Sequence, residues 1–196
     1  MKVLALELSS SVGSVAFSGQ GDAQLKVFPA DRKDSGLFYE NLSALQQSSE
    51  TPDTIVVGLG PGSYAGVRIA IATAIGLRAA TRSRLLGLPS ISAFDLEEYL
   101  VVGDARRNSF FFAHVVDGRC VEGPTLTTEA ELRAFLDSPP DLAVVATQAL
   151  PQFERVTIAH PCALRLAELA RRVEGGGEEM LEPIYLREPH ITTARK

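Results

Sequence analysis

Several features are scarce in this 196-residue chain, and each absence narrows the range of possible functions. Tryptophan is absent and there are four tyrosines, so a surface that stacks nucleic-acid bases would have few rings to use. Acidic residues outnumber basic ones by 24 to 19, and the formal charge of −5 provides no bulk attraction to nucleic acid. No apolar run reaches the roughly 18 residues of a membrane-spanning helix. We therefore expect neither direct nucleic-acid binding nor membrane insertion.

Cysteine is also rare. Cys120 and Cys162 are too few for a disulfide framework, and neither belongs to a Cys-x-x-Cys pair. Both have apolar neighbours, which is typical of small core residues in a reducing compartment. The apolar run at the N-terminus is interrupted by Glu7 before it is long enough for a signal peptide. The sequence thus predicts a cytoplasmic protein.

The pattern of strands and helices repeats in the two halves of the chain. Each half begins with a hairpin and a third strand and continues with a helix, a strand and a second helix. Glu7 and Asp104 both end the first strand of their half, just before a polar turn. This order predicts two α/β halves, residues 1–98 and 99–196, although alternation alone is common in α/β chains. The helices are predicted over Ser35–Gln47, Ser63–Ala80, Ser90–Leu96, Glu129–Leu136 and Pro161–Val173.

A glycine-rich segment, Gly58–Arg68, carries the most information. It joins a predicted strand to a long helix, and such a turn can direct backbone N–H groups at an anion. It lacks the Lys-Ser/Thr of a P-loop, and its third glycine, Gly66, comes one residue too late for the Gly-x-Gly-x-x-Gly pattern. The segment therefore matches no nucleotide-binding fingerprint.

The helix that follows this turn is rich in small residues. Two glycines inside a helix each disfavour it by about 1 kcal/mol relative to alanine, so close approach of another backbone is expected in return. The pattern leaves two interpretations open: packing on the chain's own sheet, or docking of a partner helix. The small residues form two series spaced four apart, Gly62, Gly66 and Ala70, and Ala72, Gly76 and Ala80.

Taken together, four segments resemble the TsaB (YeaZ) family from end to end of the chain. This family comprises bacterial partner subunits of the machinery that places threonylcarbamoyl on tRNA adenosine. It belongs to the actin-like ATPase superfamily and is often grouped with glycoproteases. The segments are Leu4–Ser10 with Ser14–Ala16, Gly60–Arg68, Asp104–Arg106 and Pro183–Arg187.

The resemblance implies a duplicated ribonuclease-H-like fold, with mixed sheets, flanking helices and a shortened second half. It implies a non-catalytic subunit, without cofactor or metal, that binds and stabilises a TsaD-like catalytic protein. A TsaE-like ATPase is a further implied partner, and two copies of the chain are expected to pair in isolation. The expected partner-binding residues lie on the two helices of the first half: Leu37, Asn41, Gly62, Ser63, Tyr64, Gly66, Arg68 and Ala70.

The chain departs from the family pattern near its expected ligand site. Glu7-Leu8-Ser9 stands where the family has Asp-Thr-Ser, Asp34-Ser35 replaces a His-Ser pair, and Tyr64-Ala65 replaces Phe-Thr. These changes remove side chains that could contact a nucleotide or metal. Glu7, Ser9 and Asp104 are accordingly expected to mark a vestigial nucleotide cleft.

Two catalytic alternatives remain open. An actin-like, ATP-binding phosphotransferase would use Glu7, Ser9 and Asp104, with the acids flanking the cleft. A glycoprotease is less favoured, because His114, His160 and His190 lack the spacing of metal ligands. Ser63 also lacks the Gly-x-Ser-x-Gly context of a nucleophile. A basic cluster at the end of the long helix is explained by the helix dipole, with weak tRNA contact as the alternative: Arg78, Arg82 and Arg84.

Overall fold

A computed structural model describes residues 1–30, 35–137, 142–173 and 181–186. These residues form two five-stranded sheets and four helices. The first sheet contains β1 (Val3–Glu7), β2 (Val12–Ser18), β3 (Gln24–Pro29), β4 (Thr54–Gly58) and β5 (Arg84–Leu88). The second contains β6 (Glu98–Asp104), β7 (Ser109–Val116), β8 (Arg119–Thr128), β9 (Ala143–Ala146) and β10 (Val156–Ile158). The helices are α1 (Gly36–Gln47), α2 (Tyr64–Thr81), α3 (Glu129–Asp137) and α4 (Ala163–Arg172).

Both sheets have the same topology. The strand orders are β3-β2-β1-β4-β5 and β8-β7-β6-β9-β10, with the first three strands of each half antiparallel and the last two parallel to the first. Glu7 pairs with Ser14 and Asp104 pairs with Phe110, each at the end of the first hairpin. The duplicated ribonuclease-H-like fold expected from the sequence is therefore confirmed.

The first sheet is covered on both faces, which explains why β1 reads as a continuous apolar run. Leu4 and Leu6 point to one face, where they pack in a core shared with α1 and α2. Val3 and Ala5 point to the other, where they meet α4. The helix from the second half of the sequence thus completes the core of the first sheet.

The second half is shortened at one defined place. Residues 147–155, between β9 and β10, form turns where the first half has the long helix α2. Strand β10 is not predicted from the sequence, because its three residues are too few for a periodic pattern. The shorter connection between β9 and β10 leaves the second sheet intact but lacks a helix equivalent to α2.

One predicted helix is absent. Only Ser90–Ser92 of the expected Ser90–Leu96 helix forms a 3-10 turn. Ile91 and Phe94 are instead buried against the second sheet, where the Tyr99 hydroxyl donates a hydrogen bond to the Ile91 carbonyl at 2.8 Å. Tertiary burial of these two side chains prevails over the local helical preference.

Some residues discussed from the sequence lie outside the described part of the chain. They are Asp34, Arg187 and His190.

Candidate functional site

Helix α2 begins at a turn that is fastened to the end of β1. Ser63 is its N-cap, and its hydroxyl accepts a hydrogen bond from the Gly66 amide at 3.3 Å. The Ser63 amide donates to the Ser9 carbonyl at 2.6 Å. These bonds fix the first turn of α2 against the polar turn between β1 and β2.

One face of α2 packs on the chain's own sheet. A Cβ at Gly66 would overlap the Leu8 carbonyl oxygen, and one at Gly62 would overlap the Ser9 carbonyl oxygen. Ala70 and Ala74 are fully buried in the same core. We call Gly66, Ala70 and Ala74 the inner row. Among the predicted partner-binding residues, Gly62, Gly66 and Ala70 therefore approach this chain's own backbone and core.

The opposite face of α2 is open. Nothing lies within 4 Å of the place where a Cβ on Gly76 would stand, and Ile75 is 53% exposed. Residues four apart on this face are all exposed and form what we call the outer row: Tyr64, Arg68, Ala72, Gly76 and Ala80. Because residues at this spacing lie above one another on a helix, the row is a continuous stripe with an apolar centre.

Helix α1 contributes less to this surface than expected. Leu37 is 44% exposed, whereas the Asn41 amide group donates to the Leu37 carbonyl at 2.7 Å within the helix. Tyr39 is exposed as well, and its hydroxyl lies 3.5 Å from the Thr73 hydroxyl on α2. The sequence analysis did not single out Tyr39 because only the α1–α2 packing brings it beside α2.

The tail of the chain returns to the start of the outer row. The Ile184 amide donates to the Leu59 carbonyl at 2.8 Å, which places Tyr185 beside α2. The Tyr185 ring stacks on the Tyr64 ring with centroids 5.5 Å apart. The Arg68 guanidinium lies 4.1 Å from the centre of the Tyr64 ring, and its Nε donates to the Tyr185 hydroxyl at 2.9 Å. Tyr64, Arg68 and Tyr185 together form what we call the Tyr–Arg–Tyr cluster.

A cleft of about 350 Å³ separates the two halves and opens beside this cluster. Its walls include the turn Ser9–Ser11, the start of α2, the end of β6 and the tail. The shortened second half therefore retains a cleft. Ser9 and Asp104 line it, as the sequence analysis expected of a nucleotide site, but Glu7 lies beneath the surface.

Glu7 is fully buried under the turn that leads into α2. Its Oε1 accepts a hydrogen bond from the Ser9 amide at 2.6 Å, and its Oε2 lies against Gly58, where a Cβ would overlap it. Burial raises the pKa of this carboxyl above its ordinary value of 4.5, while the hydrogen bond from the Ser9 amide opposes the rise. Oε2 and the Ser9 hydroxyl have no hydrogen-bond partner among the described residues. Glu7 therefore supports the β1 end of the cleft from within.

Asp104 has a different environment at the mouth of the cleft. Its side chain is 30% exposed, and its Oδ1 accepts a hydrogen bond from the Arg106 amide at 2.6 Å. The Arg106 guanidinium lies 3.7 Å from Oδ2. The carboxylate thus closes its own turn, and one buried and one exposed acid replace the pair of cleft-facing acids expected from the sequence.

His114 and His160 contact different side chains in different parts of the structure. His114 pairs with Glu98 at 2.9 Å on the second sheet. His160 Nδ1 lies 3.1 Å from the Ser10 hydroxyl, and burial lowers the pKa of this imidazole. Over the described ranges, no group of three His, Cys, Asp or Glu side chains could hold a metal ion. In the same ranges, each helix is too short or too polar to cross a bilayer.

Comparison with known families gives one match across the centre of the chain. Residues 36–135 match the family model described as "TsaD: tRNA N6-adenosine threonylcarbamoyltransferase". This range contains α1, the glycine-rich turn, α2 and most of the second sheet. It covers the cleft walls contributed by α2 and β6.

Curated relatives cover part of the chain. An uncharacterized protein of Mycobacterium tuberculosis is 30% identical over 141 residues, which are 70% of this chain and 65% of the relative. A second uncharacterized protein, from Mycobacterium leprae, is 34% identical over 83 residues, 41% of this chain and 23% of the relative. The matches thus span less than two thirds of the length of these relatives.

Solved structures share the fold over nearly the whole chain. YeaZ from Pseudomonas aeruginosa has a TM-score of 0.73 at 22% identity, covering 94% of this chain and 100% of that one. A second Pseudomonas aeruginosa structure, described as similar to the peptidase YEAZ, has a TM-score of 0.74 at 22% identity, covering 95% and 99%. At this level of identity, the likeness establishes the common fold.

Proposed function

The chain belongs to the TsaD family, and we propose that it is a non-catalytic subunit that binds and stabilises a TsaD-like catalytic protein. The complex would serve the formation of N6-threonylcarbamoyladenosine in tRNA. The chain would act in the cytoplasm and contribute a docking surface, while the partner would contribute the tRNA contact and the chemistry.

The observation that carries this proposal is the open face of α2. Its centre is formed by Ala72, Gly76 and Ala80, whose small side chains let another helix approach closely. Ile75 and Leu37 add exposed apolar surface on either side. Small exposed residues at the centre and larger groups around them suit the shape of a helix-docking surface.

Two further observations favour a supporting role over catalysis. Glu7 is fully buried against Gly58 at the end of β4, so its carboxylate is not offered to a ligand in the cleft. The Asp104 carboxylate accepts a hydrogen bond from the backbone amide of Arg106 and forms an ion pair with the Arg106 guanidinium. Neither acid is arranged to hold a catalytic Mg²⁺ through water, although both stabilise the walls of the cleft.

The acidic character of the whole chain agrees with an indirect role in tRNA modification. A formal charge of −5 gives a weak basis for binding tRNA phosphates, so the partner would provide them with basic residues. A TsaE-like ATPase would join the assembly as a third component. In isolation, the open face of α2 would pair two copies of the chain, because an exposed apolar stripe is otherwise in contact with water.

Co-purification of the full chain with the TsaD-like protein of the same host tests this function. We expect a stable complex on size exclusion, and a higher melting temperature of the TsaD-like protein in the complex than alone. The reconstituted mixture with the TsaE-like ATPase and ATP should then modify tRNA, and omission of this chain should abolish the product. No complex at micromolar concentrations of both proteins would overturn the proposal.

The alternative is an ATP-binding phosphotransferase of the actin-like class. It is favoured by the cleft of about 350 Å³ and by the buried, unpartnered Ser9 hydroxyl in the described part of its wall. Calorimetry with millimolar ATP and Mg²⁺ decides between the two functions. Binding heat with the wild-type chain that disappears in Asp104→Ala would support the phosphotransferase, and no heat would exclude it.

A further inference from the structure

The Tyr–Arg–Tyr cluster lies at the end of the outer row, on the surface of the protein. Tyr64 is 50% exposed and Tyr185 is 41% exposed, although their rings are stacked on each other. Arg68 is exposed beside them. Large side chains in this position are held by one another rather than by the core, which suits a surface that meets another molecule.

The cluster fixes the position of one arginine. The face of the Tyr64 ring supports the guanidinium at 4.1 Å, and the Tyr185 hydroxyl accepts from Nε at 2.9 Å. The ring covers one face of the planar guanidinium, and the hydroxyl binds the edge that carries Nε. Within the described part of the chain, the two terminal nitrogens of Arg68 have no hydrogen-bond partner. A guanidinium held in this way is ready to bind a carboxylate through two parallel hydrogen bonds.

The charge of α2 agrees with an acidic ligand. The helix contains Arg68 and Arg78 and has no acidic residue, in a chain whose overall charge is −5. Arg68 stands at one end of the apolar centre of the outer row and belongs to the same stripe. A protein that covers this stripe would place its own groups directly over Arg68.

From this geometry we infer that the Tyr–Arg–Tyr cluster is a receptor for a side-chain carboxylate of the docked subunit. The partner contact is a bidentate ion pair between an Asp or Glu of the TsaD-like protein and the terminal nitrogens of Arg68. Tyr185 is a positioning residue, which acts by holding Arg68 in place from the tail. This inference rests on the proposed docking function and adds the chemistry and the point of contact.

The test measures the affinity of the full chain for the host's TsaD-like protein by calorimetry, at two salt concentrations. Arg68→Gln should weaken binding about 30-fold, because it leaves the partner's carboxylate without its charge. Tyr185→Phe keeps the ring and removes the hydroxyl, and should weaken binding about 5-fold. Salt should weaken the wild-type complex more than the Arg68→Gln complex, since an ion pair is screened.

A double variant distinguishes positioning from a separate contact of Tyr185. If Tyr185 acts through Arg68, Tyr185→Phe should have no effect when Arg68→Gln is already present. Arg133→Gln is the matched control, because Arg133 also lies over an aromatic ring, 5.5 Å from the centre of Phe153, but on α3. Its affinity should equal that of the wild type. Melting temperatures of all variants verify that each one is folded.

The outcomes separate this inference from the proposed function. Wild-type binding with unchanged affinity in folded Arg68→Gln overturns the carboxylate receptor and leaves the docking function standing. Additive effects of the two substitutions overturn the positioning role of Tyr185. Failure of the wild-type chain to bind the TsaD-like protein overturns both proposals together.

Discussion

The two rows of helix α2 both contain small residues, but the environments of these residues are opposite. Gly66 and Ala70 on the inner row approach the backbone and core of the first sheet, whereas Ala72 and Gly76 on the outer row face open space. Both rows place small residues four apart, and both contain one helical glycine. The comparison teaches that the same spacing of small residues can pack on the chain's own sheet on one face of a helix and remain exposed on the other.

The inner row should be the more sensitive to substitution. Gly66→Leu places a side chain against the Leu8 carbonyl, which is backbone and cannot move aside. We expect a loss of about 3 kcal/mol or more in the free energy of unfolding, or failure to fold. Urea denaturation measures this change. A variant as stable as the wild type would show that α2 does not pack on β1 as described.

Glu7 is fully buried at the end of β1, and its protonation should make stability depend on pH. Burial raises the pKa of Glu7 above 4.5, so folding favours the protonated form. Its contribution is complete below the unfolded-state pKa and is lost as the pH rises through the raised value. Glu7→Gln should therefore become more stable relative to the wild type as the pH increases.

Denaturation of both proteins between about pH 4 and about pH 9 measures this difference. Asp104→Asn is the comparison, since Asp104 ends the equivalent strand of the second half and is partly exposed. A difference between Glu7→Gln and the wild type that stays constant with pH would contradict the buried, protonatable carboxyl.

On the outer row, a larger side chain in place of glycine should instead increase stability. Gly76→Ala fills open space in a helix and should raise the free energy of unfolding by about 1 kcal/mol. Thermal unfolding of the isolated chain measures the gain, with Gly66→Ala as the inner counterpart. The two variants should change stability in opposite directions, and a loss of stability in Gly76→Ala would place Gly76 in a packed environment.

Much of the fold follows from local patterns in the sequence. The apolar run Val3–Leu6 and the repeated order of elements predicted the strands and the duplication, because each depends on neighbouring residues. The short strand β10 and the 3-10 turn at Ser90–Ser92 were not predicted, because three residues carry little periodicity. Burial of Ile91 and Phe94 determines that turn through contacts with a distant sheet.

The candidate site depends more on long-range contacts. The sequence located the small residues of α2 but could not assign its two rows, because their spacing is the same. Tyr185 belongs to the family-like segment Pro183–Arg187, but its contact with Arg68 joins residues 117 positions apart and could not be predicted from local patterns. Similarly, Ser10 and His160 are 150 positions apart, and only the folded chain brings them within 3.1 Å.

The central claim, that the outer row docks the TsaD-like protein, is tested most directly by Gly76→Arg. Arginine is a better helix former than glycine and Gly76 faces open space, so the isolated variant should be at least as stable as the wild type. Affinity for the TsaD-like protein should fall by about 100-fold or more, because docking would bury an unpaired charge. Ala134→Arg, on the exposed face of α3, is the matched control and should bind as the wild type does. A folded Gly76→Arg chain with wild-type affinity would contradict the account.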